Sequence, residues 1–310
     1  MSPTDRLSLE ALPELLVRLG VDPLDREPIS VMVAQLLADR AARDEVDRLA
    51  AELLLAGLGQ WEDSWQRPGF APSTPEDRWM EGGPALCALL ATAANVHDHH
   101  RSRGIDAEVS WASLADLGQQ VTKHRLVRGS TGLTQANWLR NVWAGDFVRL
   151  GRLQFELYRV SFDDAPGPVQ VLNTHIPGDG SMAPGAVGAS LAAAAGFYRE
   201  HYADQLDDRD GRGPGVAWIY CQSWLLDREL AALLPSSNIA DFAERWEPAG
   251  GIDHDRDGYY FVFNIEPGAD EQLPGRLDEL PQRTSLERAL VAHWRAGKHL
   301  RQARGRIPAR

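Results

Sequence analysis

The hydrophobic and polar positions divide the chain into a helical half and a mixed half. Before residue 145, apolar residues recur at three- and four-residue spacing and glycines end the runs, which predicts helices. From Leu153 onwards the period changes, because Leu153, Phe155 and Leu157 alternate with polar neighbours, as in a half-buried strand. We therefore predict a helical domain over residues 1–145 and a domain of strands and helices over residues 146–310.

The second half alternates between strands and helices. Two apolar runs joined by a turn rich in Asp, Pro and Gly predict paired strands, and YYFVFN predicts a later strand that follows the hairpin turn HDRDG. Thr284 and Glu287 have capping-box spacing, which predicts an amphipathic helix after them. This alternation predicts a sheet with helices packed on its faces. The predicted strands are 151–160, 169–177, 216–226 and 259–264, and the predicted helices are 191–202, 227–234, 236–246 and 284–300.

Composition excludes several classes of protein. With 44% hydrophobic residues among 310, the chain can bury a sizeable core, and wholesale disorder is excluded. The formal charge of -12 repels phosphate backbones, so we predict no nucleic-acid partner. Cys87 and Cys221 lie far apart, which indicates no disulfide framework. We find neither a signal-peptide pattern nor an apolar run of membrane-spanning length, and we expect a cytoplasmic protein without a membrane partner.

The glycine-rich segment 178–190 joins a predicted strand to a predicted helix. Glycine lets the backbone approach a phosphate closely, and a helix N-terminus adds unpaired N–H groups and the positive end of a dipole. The candidate ligands are Gly178, Gly180, Gly185 and Ser190. The spacing fits neither a Walker A loop nor GxGxxG, and the segment contains no Lys or Arg. Phosphate binding and a plain glycine-rich connection therefore both stay open.

His175 is the candidate general base because it ends a strand beside this segment. Imidazole titrates near neutral pH, and strand ends next to a ligand loop are where catalytic bases are found. The alternative is a half-buried histidine that only bonds the backbone. Glu156 on the neighbouring strand could orient or replace His175. Strict alternation puts Glu156 on one face with Gln154 and Tyr158, and this pattern also predicts exposure to solvent.

Three other candidate sites are weaker. Cys221 lies on an apolar strand with no local base, so a core cysteine is favoured over a nucleophile. His97 and His100 have i, i+3 spacing, but a solvated helix end is favoured over a metal site. Residues 253–258 match half of a calcium loop, yet Asn264 stands where the loop needs Glu, so a hairpin turn is favoured. We therefore predict no metal.

Four stretches carry a resemblance to a known family: GRLQFELYR, LNTHIPGDG, CQSWLLDRELAALLPSSNI and the tail helix. They resemble a bacterial acyltransferase-like family, common in actinobacteria, in which a helical N-acyltransferase N-terminal domain precedes a GNAT-like C-terminal domain. The resemblance covers nearly the whole chain. It implies an α+β fold, with a mixed, mostly antiparallel sheet flanked by helices after the helical domain.

The resemblance also implies a reaction. An amine of a small-molecule acceptor would attack the thioester of an acyl-CoA directly, with the CoA pyrophosphate at residues 178–190; an acyl carrier protein is the alternative donor. His175 would be the base, Glu156 the reserve base, and Tyr259 or Tyr260 the acid for the departing thiolate, although strand tyrosines commonly serve packing. Residues 177–180 only echo the GNAT loop pattern, and Gln222 stands where the family often has His.

Two other functions stay open. The chain could be a non-catalytic ligand-binding or scaffold protein with a GNAT-like fold. A cysteine hydrolase that uses Cys221 and His175 is the third possibility, and it requires a reactive thiol.

Overall fold

The computed structural model describes residues 2–55, 58–59, 70, 79–208, 213–268 and 277–309. The chain forms two compact units. The first comprises Met1–Arg149 with Glu156–Tyr158, and the second comprises Leu150–Phe155 with Arg159–Arg310.

The first unit is built from helices, as the apolar spacing predicts. Helix α4 is its most buried element, because Leu86, Cys87 and Leu89 have no solvent exposure. The indole Nε1 of Trp143 donates to the carbonyl of Leu89 at 3.1 Å, which ties the last helix to α4. The helices are α1 Leu12–Arg18, α2 Pro23–Ala38, α3 Arg40–Leu55, α4 Gly83–Ser102, α5 Ala107–Leu114, α6 Asp116–Arg128 and α7 Ala136–Trp143. No helix of the described residues is both long enough and apolar enough to cross a membrane.

The histidines near the end of α4 belong to the packed interior, so the predicted solvated helix end is wrong for His100. His100 has no exposure, and its Nδ1 lies 2.9 Å from Oγ of Ser110. Nδ1 of His97 lies 2.8 Å from the same oxygen. Burial is the largest cause that lowers the pKa of His100, to about 4. Among the described residues, no three His, Cys, Asp or Glu side chains are grouped so that they could hold a metal ion.

The strands form a mixed sheet. In the described residues it has six strands, in the order β1-β2-β3-β4-β6-β5. β3 and β4 are parallel, whereas β6 is antiparallel to both β4 and β5. The strands are β1 Val148–Leu150, β2 Leu153–Val160, β3 Val169–His175, β4 Trp218–Ser223, β5 Glu247–Asp253 and β6 Arg301–Pro308.

Helices flank this sheet, so the predicted α+β fold with a GNAT-like mixed sheet is confirmed. Thr284 caps α12 through the predicted capping box with Glu287. The helices of the second unit are α8 Pro184–His201, α9 Arg228–Leu233, α10 Asn238–Glu244, α11 Arg256–Phe263 and α12 Ser285–Arg295.

The late strand predicted at YYFVFN is wrong, because these residues lie in α11. Tyr259 and Phe263 are one helical turn apart, and both rings pack against Trp294, with centroid distances of 4.5 Å and 5.9 Å. Tertiary packing at i, i+4 spacing thus overrides the strand propensity of aromatic residues. The predicted hairpin turn before this segment is likewise wrong, since β5 ends at Asp253 and α11 begins at Arg256.

The edge strand beside β6 is β5, just before α11 in sequence. Its sequence EPAGGID has little strand propensity. Its pairing with β6 shifts register between Pro248 and Gly251. Gly251 has φ +155°, and a β-carbon there would lie 2.9 Å from the Cα of Ala303. Glycine therefore permits a close approach of two backbones that any other residue would obstruct.

Candidate active site

The segment β3–α8–β4 brings two strand ends and a helix start to one edge of the sheet. β3 and β4 are parallel, with Thr174 paired to Cys221, so their carboxyl ends share that edge. The 18 residues of α8 begin at Pro184, shortly after β3 ends. Ligands of open α/β sheets bind outside the carboxyl ends of strands, beside helix N-termini. His175, the last residue of β3, lies at this edge.

His175 is oriented by its neighbour on the same face of β3. Nδ2 of Asn173 lies 3.1 Å from Nε2 of His175. Residues two apart in a strand share a face, which is why these two side chains meet. Asn173 is only 8% exposed, while His175 is half-buried. A hydrogen bond to one ring nitrogen fixes the orientation of the ring and decides which nitrogen carries the proton.

A chain of hydrogen bonds runs from β4 to β6 on this face. The hydroxyl of Tyr220 donates to Oε1 of Gln222 at 3.0 Å, and Nε2 of Gln222 donates to Oε1 of Gln302 at 2.7 Å. Tyr220 is 3% exposed, whereas Gln222 is exposed. Asn173 pairs with Tyr220 and Thr174 with Cys221 in the parallel register, so His175 and Gln222 are the next residues of the two strands.

The chain of hydrogen bonds ends at an acid–histidine pair near the start of α11. Nε2 of Gln302 donates to Oδ2 of Asp257 at 3.3 Å. Oδ1 of Asp257 lies 3.1 Å from Nδ1 of His254. Burial raises the pKa of Asp257, against the opposing effects of His254 and Gln302. The sequence patterns do not predict this network, because β6, which supplies Gln302, is not among the predicted strands.

The backbone that follows β3 is open to a ligand. A β-carbon on Gly178 or on Gly185 would have no neighbouring atom within 4 Å. Gly180 has φ +78°, a left-handed conformation that glycine adopts without strain. The N-terminus of α8 adds N–H groups that have no partner within the helix. These features suit the close approach of a phosphate group to the backbone.

Helix α8 begins earlier than the sequence predicts, which places Gly185 and Ser190 within it. Oγ of Ser190 accepts hydrogen bonds from the backbone N–H groups of Arg152 at 2.9 Å and Leu153 at 3.3 Å. It also donates to a carbonyl one turn earlier in α8 at 3.1 Å. Ser190 therefore anchors α8 to the start of β2, and its role in binding a cofactor stays a prediction.

Arg152 and Arg245 bring positive charge close to the segment 178–190, which itself contains no Lys or Arg. Cδ of Arg152 lies 3.7 Å from the position of a β-carbon on Gly180. Nη2 of Arg245, directly after α10, donates to the carbonyl of Pro184 at 3.3 Å and pairs with Asp241 at 2.8 Å. Both arginines are remote from the segment in sequence, so no local pattern could have identified them.

Glu156, the reserve base, is buried, so the expected exposure to solvent is wrong. It is 2% exposed, and Gln154 on the same strand is 1% exposed. β2 is an inner strand whose first five residues are all buried. The alternation of apolar and polar residues in β2 therefore does not indicate which side chains are exposed to solvent, because both faces of the strand are covered.

Tyr259, the candidate acid, is 3% exposed in α11. Its ring stacks on Trp294 within a hydrophobic cluster that includes Phe263 and Leu290. This environment favours a packing role for Tyr259, one of the two roles considered in the sequence analysis. The role of Tyr259 as an acid stays a prediction.

Cys221 is fully buried and forms no disulfide. Burial raises the pKa of its thiol, whereas a nucleophilic cysteine needs a lowered pKa. The prediction of a core cysteine is confirmed.

Known proteins match the chain along most of its length. The N-acyltransferase N-terminal domain matches residues 10–145, and the GNAT-like C-terminal domain matches residues 147–307. A solved acyltransferase in complex with decanoyl-CoA and teicoplanin is 30% identical, with a TM-score of 0.78 over 97% of this chain and 88% of that chain. An acyltransferase in complex with CoA and 10C-Teicoplanin is also 30% identical, with a TM-score of 0.79 and the same coverage. Among curated proteins, a sequence search found no match.

Proposed function

The chain belongs to the family in which an N-acyltransferase N-terminal domain precedes a GNAT-like C-terminal domain, and we propose that it transfers an acyl group from coenzyme A to an amine of a small molecule. The observation that carries this proposal is the junction after β3. There a histidine-ended strand, an open glycine backbone and the N-terminus of α8 meet at one edge of the sheet.

The donor would bind at the start of α8. The open backbone at Gly178 and Gly185 leaves room for phosphate oxygens to reach N–H groups. Arg152 and Arg245 add positive charge, although the pairing of Arg245 with Asp241 offsets part of it. The similar acyltransferases hold CoA or decanoyl-CoA, which supports a CoA thioester as donor. An acyl carrier protein stays the alternative donor.

His175 would take the proton from the attacking amine. A base needs a nitrogen lone pair, so the tautomer matters. If the amide of Asn173 is rotated by half a turn, its oxygen accepts Nε2–H and the basic lone pair is on Nδ1; such amide orientations are assigned from hydrogen-bond networks. The amine nitrogen then bonds to the thioester carbon, the C–S bond breaks, and the departing thiolate takes up a proton.

Gln222 would hold the thioester carbonyl. A glutamine amide has one acceptor oxygen and two N–H donors. The oxygen accepts from Tyr220, and one N–H donates to Gln302, so the orientation of the amide is fixed and one N–H stays available on an exposed side chain. A donor held in place before the reaction stabilises negative charge that develops on a carbonyl oxygen.

Glu156 as reserve base and Tyr259 as acid stay part of this proposal. Glu156 is buried on β2, where its carboxyl group is shielded from solvent. A small-molecule amine fits the acceptor, since related acyltransferases are in complex with teicoplanin or 10C-Teicoplanin. We place the reaction in the cytoplasm, because Cys87 and Cys221 are both free thiols.

Calorimetric titration and an amide-forming assay together test the proposal. Wild-type chain should bind CoA and decanoyl-CoA and should acylate an amine acceptor. His175→Ala should keep CoA affinity while losing about 10²–10⁴-fold in turnover, the usual contribution of a general base. Full turnover in His175→Ala would refute the base assignment. CoA binding without turnover on any amine would favour the non-catalytic alternative, and the absence of CoA binding would refute the donor site.

A further inference from the structure

A pocket of about 270 Å³ lies among the residues after β4, the end of α10, and strands β5 and β6. Its apolar lining includes Leu226, Trp246 and Pro248. It is lined neither by His175 nor by the hydrogen-bonded chain of Tyr220, Gln222 and Gln302, and the segment after β3 does not line it either. The proposed acyl transfer therefore assigns no role to this pocket.

Three arginines of the pocket lie along one short backbone segment, Trp246–Gly251. Nη2 of Arg228 donates to the carbonyl of the first residue of this segment at 3.3 Å. Nη2 of Arg301 donates to the carbonyl of the last residue at 3.1 Å. Nη2 of Arg304 lies 3.1 Å from the position of a β-carbon on Gly250. Three guanidinium groups are thus gathered within the length of six residues.

The two carboxylates that line the pocket are engaged elsewhere. Asp227 accepts three backbone N–H groups, from Glu229 at 2.8 Å, Leu230 at 3.2 Å and Arg301 at 2.8 Å. Glu229 pairs with Nζ of Lys298 at 2.7 Å. Both carboxylates therefore have partners other than the guanidinium groups of Arg228 and Arg304, although the charge of Glu229 also interacts with that of Arg301.

Two of the three arginines have no acidic partner. Arg301 has a carboxylate of Asp253 at 3.8 Å, whereas Arg228 and Arg304 form no ion pair with any described residue. The indole Nε1 of Trp246, a residue only 3% exposed, also has no hydrogen-bond partner among the described residues. In a chain with a formal charge of -12, two arginines without an acidic partner among the described residues need a separate explanation.

Chemistry and size limit the ligand. Guanidinium groups match carboxylates and phosphates through paired N–H donors. Sites for drug-sized ligands measure roughly 300–1,000 Å³, so a pocket of about 270 Å³ suits a small anion better than a whole coenzyme. The apolar lining adds a surface for a short hydrocarbon body.

We propose that this pocket binds a small oxyanion, a carboxylate or a phosphate, carried on a short apolar body and bound separately from the acyl donor. No residue of the candidate active site lines the pocket. Arg304 is, however, the partner of Gln222 in the pairing of β4 with β6, so the experiment must separate this pocket from the donor site.

Titration calorimetry of the full chain with sodium hexanoate and with inorganic phosphate, at constant ionic strength, tests this. We expect saturable binding of at least one probe. Hexanoate alone would identify a carboxylate on an apolar body, and phosphate alone would identify a phosphate group. Arg304→Gln and, independently, Arg228→Gln should each weaken binding about ten-fold or more, as expected for the loss of charged hydrogen bonds. Failure of both probes to bind the wild-type chain would overturn the proposal.

Arg101→Gln is the matched control, because Arg101 is a surface arginine of α4 that is 73% exposed and, among the described residues, forms an ion pair with Asp98 alone. Arg101→Gln removes the same charge and should leave probe affinity unchanged. If it weakened probe binding as much as the pocket variants do, the effect would come from net charge alone, and the proposed site would be overturned. Binding must also persist with saturating CoA, since competition would assign the pocket to the donor site. If CoA does not bind at all, the proposed function fails while this proposal stands on the two probes.

Discussion

Nε2 of His175 and the amide nitrogen of Asn173 are 3.1 Å apart on one face of β3. These two side chains meet because residues two apart in a strand share a face. Their contact orients the ring of His175, the candidate base. Asn173 is buried whereas the ring of His175 is half-buried, so the fixed member of the pair is the asparagine. We therefore treat Asn173 as a positioning residue.

Asn173→Ala should lower kcat by roughly 10- to 100-fold, part of the contribution of a positioned general base, and leave KM nearly unchanged. Asn173→Asp should retain the orientation and, by adding a negative charge, move the acidic limb of the kcat pH profile upwards. Steady-state kinetics from pH 5.5 to 9 measure both effects. A purely structural asparagine would change stability without moving the pH profile of the Asp variant.

Gln222→Ala should reduce kcat by about 10²–10³-fold, the range for loss of a carbonyl-stabilising donor. Gln222→Glu should be at least as slow, because a carboxylate repels developing negative charge. Tyr220→Phe removes the hydroxyl that fixes Oε1 of Gln222, so we expect a smaller loss of kcat. Kinetics with one acyl-CoA and one amine provide the comparison, and wild-type turnover in Gln222→Ala would contradict the role.

If the donor binds as proposed, Gly185→Ala should weaken CoA binding by about 1–3 kcal/mol, because the added methyl group would occupy space, open in the free protein, that the donor needs. Gly196→Ala is the matched control in the same helix, where a β-carbon also meets no atom within 4 Å. Alanine should stabilise α8 at Gly196 by roughly 0.5–1 kcal/mol. Titration calorimetry and thermal unfolding separate binding from stability. Equal CoA affinity in the two variants would place the donor elsewhere.

The fold should lose stability in mild acid because His100 is buried in its neutral form. An unfolded histidine has a pKa of about 6.5, whereas burial lowers the pKa of His100 to about 4. Between these values the unfolded chain binds a proton that the folded chain does not. The stability that His100 contributes is therefore complete above about pH 6.5 and falls, by about 3 kcal/mol in all, as the pH approaches 4.

Urea unfolding at pH 7.5 and pH 5 measures this loss, and His100→Gln should reduce it. His299→Gln is the control of opposite sign, since a hydrogen bond with Asp255 raises the pKa of His299. The contribution of His299 is complete at low pH and disappears as the pH rises through its folded pKa. An unchanged pH dependence in His100→Gln would contradict the assignment.

Sequence patterns predict the elements whose local signals agree with their packing. The capping box at Thr284 and the change from helical to strand period at β2 are of this kind. β5 was not predictable, because Pro and Gly have low strand propensity and the strand exists only through its pairing with β6. The strand prediction at Tyr259 is wrong because aromatic residues have high strand propensity, whereas packing on Trp294 stabilises a helix there.

The candidate site was only partly predictable for a related reason. His175 and the glycines after it could be identified because they lie close together in sequence. The contact between Gln222 and Gln302 could not, because it depends on the pairing of the remote strands β4 and β6. The two arginines beside α8 come from other distant parts of the chain. Contacts of this kind leave no periodic trace in a single sequence.

β6 follows β5 by almost fifty residues, yet it lies between β4 and β5 in the sheet. During synthesis, β5 therefore has no strand to pair with until residues 301–308 have left the ribosome. Two features depend on β6 and form only after it has paired: the hydrogen bonds of Gln302 and the three-arginine pocket. We expect this unit to mature only once residues 301–308 are available, with a rate limited by closure of the long loop between β5 and β6.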